Sequence, residues 1–181
     1  MGLPPGWALS LSLSASALEP LTFSSSGIAP FHAFVFYAPA DGSAAAAADC
    51  ATLLLASLQA AASLGQVPVL LAGDLNQDPL PPAAAAALAL AGWRDLAEGL
   101  GPTSDGGRRI DRVYANPWAS LLVSSAALRR DLGLATHAAV EVRLRAAPRP
   151  PFLAAHGRCL LPRPFAPLGR VVIWSPRMPR R

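Results

Sequence analysis

Hydrophobic and polar positions along this chain change period several times, and each change marks an element. Leu9 to Ala17 alternates leucine or alanine with serine, the period-2 pattern of a half-buried strand. Residues 24–30 are rich in serine, glycine and proline and read as a turn, while Phe31-His-Ala-Phe-Val-Phe-Tyr37 is aromatic and β-branched enough for a strand. Asp41-Gly-Ser43 leads into a helix over 44–64, with Ser43 placed to cap it, Leu54, Leu55, Leu58 and Ala62 forming its core face, and Gly65 ending it. Val67-Pro-Val-Leu-Leu-Ala72 is apolar on both faces, which predicts an interior strand covered on two sides. It stops at Gly73, where the backbone is free to turn or to approach another group closely. Asp74 and Asn76 follow, two residues apart and therefore on the same side of an extended chain.

Beyond the 74–82 loop, an alanine-rich helix is expected over 83–91, closing at Gly92, with Trp93-Arg-Asp-Leu96 as a connector and residues 99–108 as a surface loop. Arg109 to Tyr114 alternates as a strand that places Ile110, Arg112 and Tyr114 on one face and Arg109, Asp111 and Val113 on the other. Asn116-Pro117 predicts a capped short helix near 117–121, followed by a strand over 122–128, a loop over 133–137 and a last strand over 138–144. Several strands with a few interposed helices give an α+β class, a sandwich of sheets and helices.

Composition sharpens this outline. At 181 residues the chain has room for one domain with a good core plus a tail. The 52% hydrophobic content is inflated by alanine, and all 15 basic residues are arginine. Residues 146–181 hold seven arginines, eight of the 19 prolines and no acid, whereas residues 1–145 hold eight arginines against eleven acids, a balance of −3. The domain is therefore assigned to 1–145 and an Arg/Pro-rich tail to 146–181; the tail is expected to be disordered, with Val171 to Trp174 as a segment able to dock. The basic pI describes the tail, and only a local patch at Arg108, Arg109 and Arg112 is left as a candidate nucleic-acid surface in the body. Cys50 and Cys159 have no metal-type spacing, which points to a reducing, intracellular compartment, cytoplasm or nucleus. No basic residue precedes Glu19, against a secretory signal, and Asp49 and Gln59 interrupt the alanine-rich 44–64 segment, so that no membrane partner is expected.

Four polar positions fall at the ends of expected strands: Tyr37, Asp74 with Asn76, Asp111 and His137. Each has a plainer reading. Tyr37 suits a core aromatic with a wet hydroxyl, Asp74 and Asn76 an Asx-type turn, Asp111 a surface ion pair and His137 a structural histidine. Taken together they supply a carboxylate able to accept a proton from water, an amide able to hold a developing oxyanion, and a His–Asp pair that fixes a tautomer. Those are the parts of a hydrolytic phosphate site.

The ordered set Tyr37-Ala-Pro39, Gly73-Asp-Leu-Asn76, Ile110-Asp-Arg-Val-Tyr-Ala-Asn116 and Thr136-His137 resembles the endonuclease/exonuclease/phosphatase family, over roughly residues 25–145, with a flavour similar to the endonuclease domains of retroelements. The resemblance implies a partial four-layer α/β/β/α sandwich, of which this chain supplies the C-terminal portion. It implies that Asp74 orients or deprotonates the attacking water, that Asn76 and Tyr37 contact the phosphate, and that His137, oriented by Asp111, binds or protonates a phosphoryl oxygen. Mg2+, or Mn2+, is the implied cofactor and DNA the implied partner, with metal-dependent phosphodiester hydrolysis as the reaction. A phosphatase of the same family is the alternative. Two features depart from the family pattern. Thr136 stands where the family has an aspartate, and the family's metal-binding glutamate has no matched counterpart, because Glu19 lies in Leu-Glu-Pro-Leu without the Gln-Glu context, leaving only Asp74 near the expected metal. A catalytically inactive remnant of such a domain is therefore a second expectation.

Overall fold

The computed structural model of the protein describes residues 20–25, 28–145 and 170–173. The strand expected at Leu9 to Ala17, and Glu19, lie outside the described residues. Strands β1 (Leu21–Ser25) and β2 (Ile28–Tyr37) form an antiparallel hairpin, which corrects the reading of 24–30 as a turn. The hairpin register shifts between Phe23 and Ser25, opposite the stretch that contains Pro30, a residue with no N–H to give to a ladder. Phe23 stacks on Phe31 with ring centroids 4.8 Å apart.

Helix α1 (Ala44–Ser63) crosses over to β3 (Val69–Asp74), which pairs parallel to β2. Ser43 caps the helix, its Oγ accepting the Ala46 N–H at 3.0 Å, and Gly65 leaves it with φ +79°. The buried stripe is Ala46, Cys50, Leu54, Ser57 and Ala61, so the expected face through Leu55 and Ala62 is corrected: Leu55 is 42% exposed. The reason is steric, since a row of small side chains lets the helix axis lie close to the sheet. One such 20-residue helix is long and apolar enough to cross a membrane; here its buried stripe joins a cluster with Phe34, Phe36 and Leu71 of the sheet.

Helix α2 (Pro82–Leu90), the two-residue strand β4 (Arg94–Asp95) and β5 (Asp111–Ala115) complete a mixed sheet in the order β1-β2-β3-β5-β4. The 93–96 segment read as a connector thus supplies an edge strand. After β5, Asn116 caps α3 (Pro117–Ser120) with its Oδ1 on the Ala119 N–H at 2.8 Å, and the same side chain bonds the Val69 N–H of β3 and the Val67 carbonyl just before it. Strands β6 (Val123–Arg129), β7 (Ala139–Leu144) and β8 (Arg170–Ile173) form a second, antiparallel sheet in the order β6-β7-β8. Thus, within residues 146–181, Arg170–Ile173 pairs with β7.

Alternation along β3 divides the core. Leu70 and Ala72 join Phe31, Val113, Val140 and Val142 between the two sheets, while Val69 and Leu71 join Phe34, Cys50, Leu54 and Leu88 under the helices. The described residues therefore build helices, a mixed sheet and a second sheet in successive layers, an α+β arrangement with three of the four expected layers.

Candidate active site

Register places the candidate residues. Tyr37 stands opposite Asp74 across the parallel β2–β3 pair, and Asp74 opposite Asp111 across the antiparallel β3–β5 pair. One row across three strands thus carries a phenol and two carboxylates at a single end of the sheet. Gly73 makes that row possible: a Cβ there would lie 1.9 Å from the Phe36 carbonyl oxygen, so only glycine lets β2 and β3 come this close next to Asp74.

Asn76 turns back over the row with φ +51°, a conformation asparagine tolerates better than most residues. Its N–H donates to Asp74 Oδ1 at 3.0 Å, and its Nδ2 donates to the Ala38 carbonyl at 2.8 Å, just past Tyr37. The Asx-type turn is therefore real, and it is also what aims Asp74. One Nδ2 hydrogen of Asn76 remains for another acceptor.

His137 arrives from the second sheet. The Ala138 N–H donates to Thr103 O at 2.7 Å, the Asp105 N–H donates to Thr136 O at 3.1 Å, and Ser104 bridges to His137, which docks the start of β7 on the 99–108 loop. His137 Nδ1 then lies 2.9 Å from Asp111 Oδ2. With a carboxylate as acceptor, Nδ1 carries the proton and Nε2 is presented on the opposite side of the ring. Thr136 adopts φ +67°, uncommon for a β-branched residue, and its buried Oγ1 has no hydrogen-bond partner among the described residues. Strain at the residue before His137 is consistent with a position fixed by its surroundings rather than by its own preference.

Burial raises the proton affinity of both acids. Asp74 is 3% exposed, and desolvation followed by the Asp111 charge pushes its carboxyl up to about 6, against the pull of the Asn76 N–H, His137 and Arg108. Asp111 is raised as well, by desolvation, with its His137 hydrogen bond opposing.

Two supporting groups escaped the sequence reading. Thr103 is fully buried, and its Oγ1 accepts the N–H groups of Ile110 and Asp111 at 3.1 and 2.9 Å, fixing the start of β5. Behind the row, Arg112 donates to Asp78 Oδ1 and Asp95 Oδ2 at 2.9 and 3.1 Å, Arg109 Nη1 donates to Asp95 Oδ2 at 2.6 Å, and the Arg109 N–H donates to Asp78 Oδ2 at 2.8 Å. This network ties the loop after Asn76 to β5 and β4. It also corrects the expected basic patch: Arg109 and Arg112 are neutralised in place, and Arg112 is only 6% exposed. A polar residue inside a loop has no periodicity to betray it; the aspartate-proline pair at Asp78 was the available signal.

The sequence profile of the Endonuclease/Exonuclease/phosphatase family matches residues 11–166. The chain belongs to this family. No curated protein sequence matches it. Among solved structures, an endonuclease/exonuclease/phosphatase from Beutenbergia cavernae DSM 12333 superposes with a TM-score of 0.54 at 23% identity, covering 67% of this chain and 37% of that one. A conserved protein from Enterococcus faecalis V583 gives 0.50 at 16% identity, covering 66% and 51%. These likenesses concern the fold, and the chain spans about a third to a half of the length of those two proteins.

Members of the endonuclease/exonuclease/phosphatase family are generally metal-dependent, and Asp74, Asp111 and His137 form a group able to hold an ion, with one ligand atom from each lying within 4.8 Å of the others. The donor chemistry fits. Two buried carboxylates with raised proton affinity are stabilised by a cation, and a hard divalent ion accepts few protein oxygens with water completing its shell. Asp74 Oδ1 already accepts from Asn76, and the Asp111 carboxylate is engaged by His137 and Thr103, so an ion would share these oxygens with their present partners.

Proposed function

We propose that this chain hydrolyses phosphodiester bonds of nucleic acid, most simply DNA, with Mg2+ or Mn2+ as cofactor. The observation that carries the reading is the convergence of Asp74 of β3, Asp111 of β5 and His137 of the segment before β7 on one patch flanked by Tyr37 and Asn76. Asp74 presents a buried carboxylate, aimed by the Asn76 N–H, as the proton acceptor for the attacking water. Water oxygen attacks phosphorus as Asp74 accepts its proton, the P–O ester bond breaks, and the departing oxygen takes a proton from solvent. His137, held through Nδ1 by Asp111, donates from Nε2 to a phosphoryl oxygen that gains charge when both ring nitrogens carry protons, and the spare Asn76 Nδ2 hydrogen and the Tyr37 hydroxyl offer further donors. Asp74 and Asp111 would hold the divalent ion, which supplies neutralisation of phosphoryl charge when bound.

The test is nicking of supercoiled plasmid by the purified chain with Mg2+, beside Asp74→Ala and His137→Ala, and in parallel the release of phosphate from a phosphomonoester. Cleavage that needs the metal and falls at least about a hundredfold in both variants supports the nuclease reading. Phosphate release without nicking would make the chain a phosphatase of the same family. Neither activity above the variants would identify a catalytically inactive member.

A further inference from the structure

The three arginines around β5 divide sharply. Arg109 and Arg112 are paired with Asp95 and Asp78, whereas no acid among the described residues lies within ion-pair distance of Arg108. Arg108 is exposed, yet its backbone is fixed: its carbonyl accepts the N–H groups of Thr103 and Ser104 at 3.1 and 3.0 Å and the Ser104 hydroxyl at 3.0 Å, and its own N–H donates to Ser104 Oγ at 3.3 Å. The loop that carries it is docked on Thr136 and Ala138 beside His137, and β5 begins three residues later at Asp111. The Arg108 charge is felt at Asp74, whose carboxyl it helps to lower. Asp105 is the other charged residue of this loop, and its N–H is used on Thr136.

A guanidinium without an acid partner among the described residues, on a rigid rim and on a body of net charge −3, attracts an anion, whereas Arg130, the other exposed arginine at this loop, is held on the Pro102 carbonyl at 2.7 Å. It belongs to the exposed loop docked beside His137, outside the buried row. We propose that Arg108 is the specificity-determining contact for the phosphate adjacent to the scissile one, so that the site prefers a polynucleotide strand to an isolated phosphodiester. The inference rests on the phosphodiesterase reading above.

Arg145 provides the control, since it too is exposed and without an ion pair among the described residues, but it follows the far end of β7, eight residues and about 26 Å of extended chain from His137. Steady-state kinetics of wild type, Arg108→Ala, Arg108→Lys and Arg145→Ala would be measured on a short oligonucleotide and on bis(p-nitrophenyl) phosphate. Loss of one exposed charge-assisted contact predicts a KM on the oligonucleotide raised about tenfold in Arg108→Ala, with kcat little changed, partial recovery in Arg108→Lys and no change on the single-phosphate diester. Equal losses on both substrates, or an equal loss in Arg145→Ala, would overturn the proposal. A second measurement does not need turnover: anisotropy of a labelled oligonucleotide with the full chain in EDTA, across a salt series. Arg108→Ala should lower the slope of log K against log salt by about 1 and Arg145→Ala should not; an unchanged slope in Arg108→Ala sinks the proposal. If wild type cleaves neither substrate, the functional reading fails while the salt slope still decides the role of Arg108.

Discussion

Burial and the charge of Asp111 hold the Asp74 carboxyl near 6, against 3.8 for the unperturbed group, and the sign of this shift has consequences for stability. An acid whose folded-state pKa is raised binds its proton more tightly in the folded chain, so its contribution favours folding below about 4 and is lost as pH rises through about 6. Asp74→Asn removes the ionised group. The metal-free variant is therefore expected to match wild type near pH 4 and to be more stable by on the order of 1–2 kcal/mol at pH 7, while losing activity. Thermal unfolding in EDTA from pH 4 to 7 checks this; a stability gap that does not widen through pH 6 would contradict a buried, strained carboxylate. The positions of Tyr37, Asp74, Asn76, Asp111 and His137 were legible because each falls at or beside an end of an expected strand, and register then joins Tyr37, Asp74 and Asp111. Thr103 was not legible, since a hydroxyl in a loop of glycine, proline and serine looks like any turn residue until its two N–H donors are in place.

Elements were legible where period and punctuation agree. Ser43 and Asn116 cap as their sequence context predicts, and Gly65 stops α1. The failures have physical causes. The β1–β2 hairpin was hidden because serine, glycine and proline on both sides of its turn mask its pairing, and α1 turns its small residues inward because closeness to the sheet outweighs burial of Leu55. Gly73 had two readings, a turn or a close approach, and the structure selects the second, inside β3. Gly73→Ala must then push β2 and β3 apart, since no rotamer moves a Cβ that meets a backbone oxygen. A loss of about 3 kcal/mol or more is expected in urea unfolding, together with loss of activity as Tyr37 and Asp74 fall out of register. A variant within about 0.5 kcal/mol of wild type would show that the strands do not need this contact.

At the scale of the molecule, two sheets meet at one place where their polar ends, and not their apolar faces, are in contact. The sheet interface is closed by Phe31, Leu70, Val113, Val140 and Val142, and at its end Asp111 and His137 join the sheets through a hydrogen bond. Asp74 and Asp111, neighbours in one row of the first sheet beside this seam, repel each other, which is a cost to the fold that a bound cation reverses. A divalent ion should therefore act on the whole fold and not on the site alone. Mg2+ or Mn2+ at pH 7 is expected to stabilise wild type by about 1.4 kcal/mol for each tenfold of free ion above its dissociation constant, a rise of roughly 2–4 °C per kcal/mol for a chain of this size. EDTA should reverse it, and the stability advantage of Asp74→Asn over wild type should shrink as the ion is added. Scanning calorimetry of wild type, Asp74→Asn and Asp111→Asn with and without the ion separates the cases: if all three respond alike, the ion binds elsewhere and the acids at the seam are held by hydrogen bonds only.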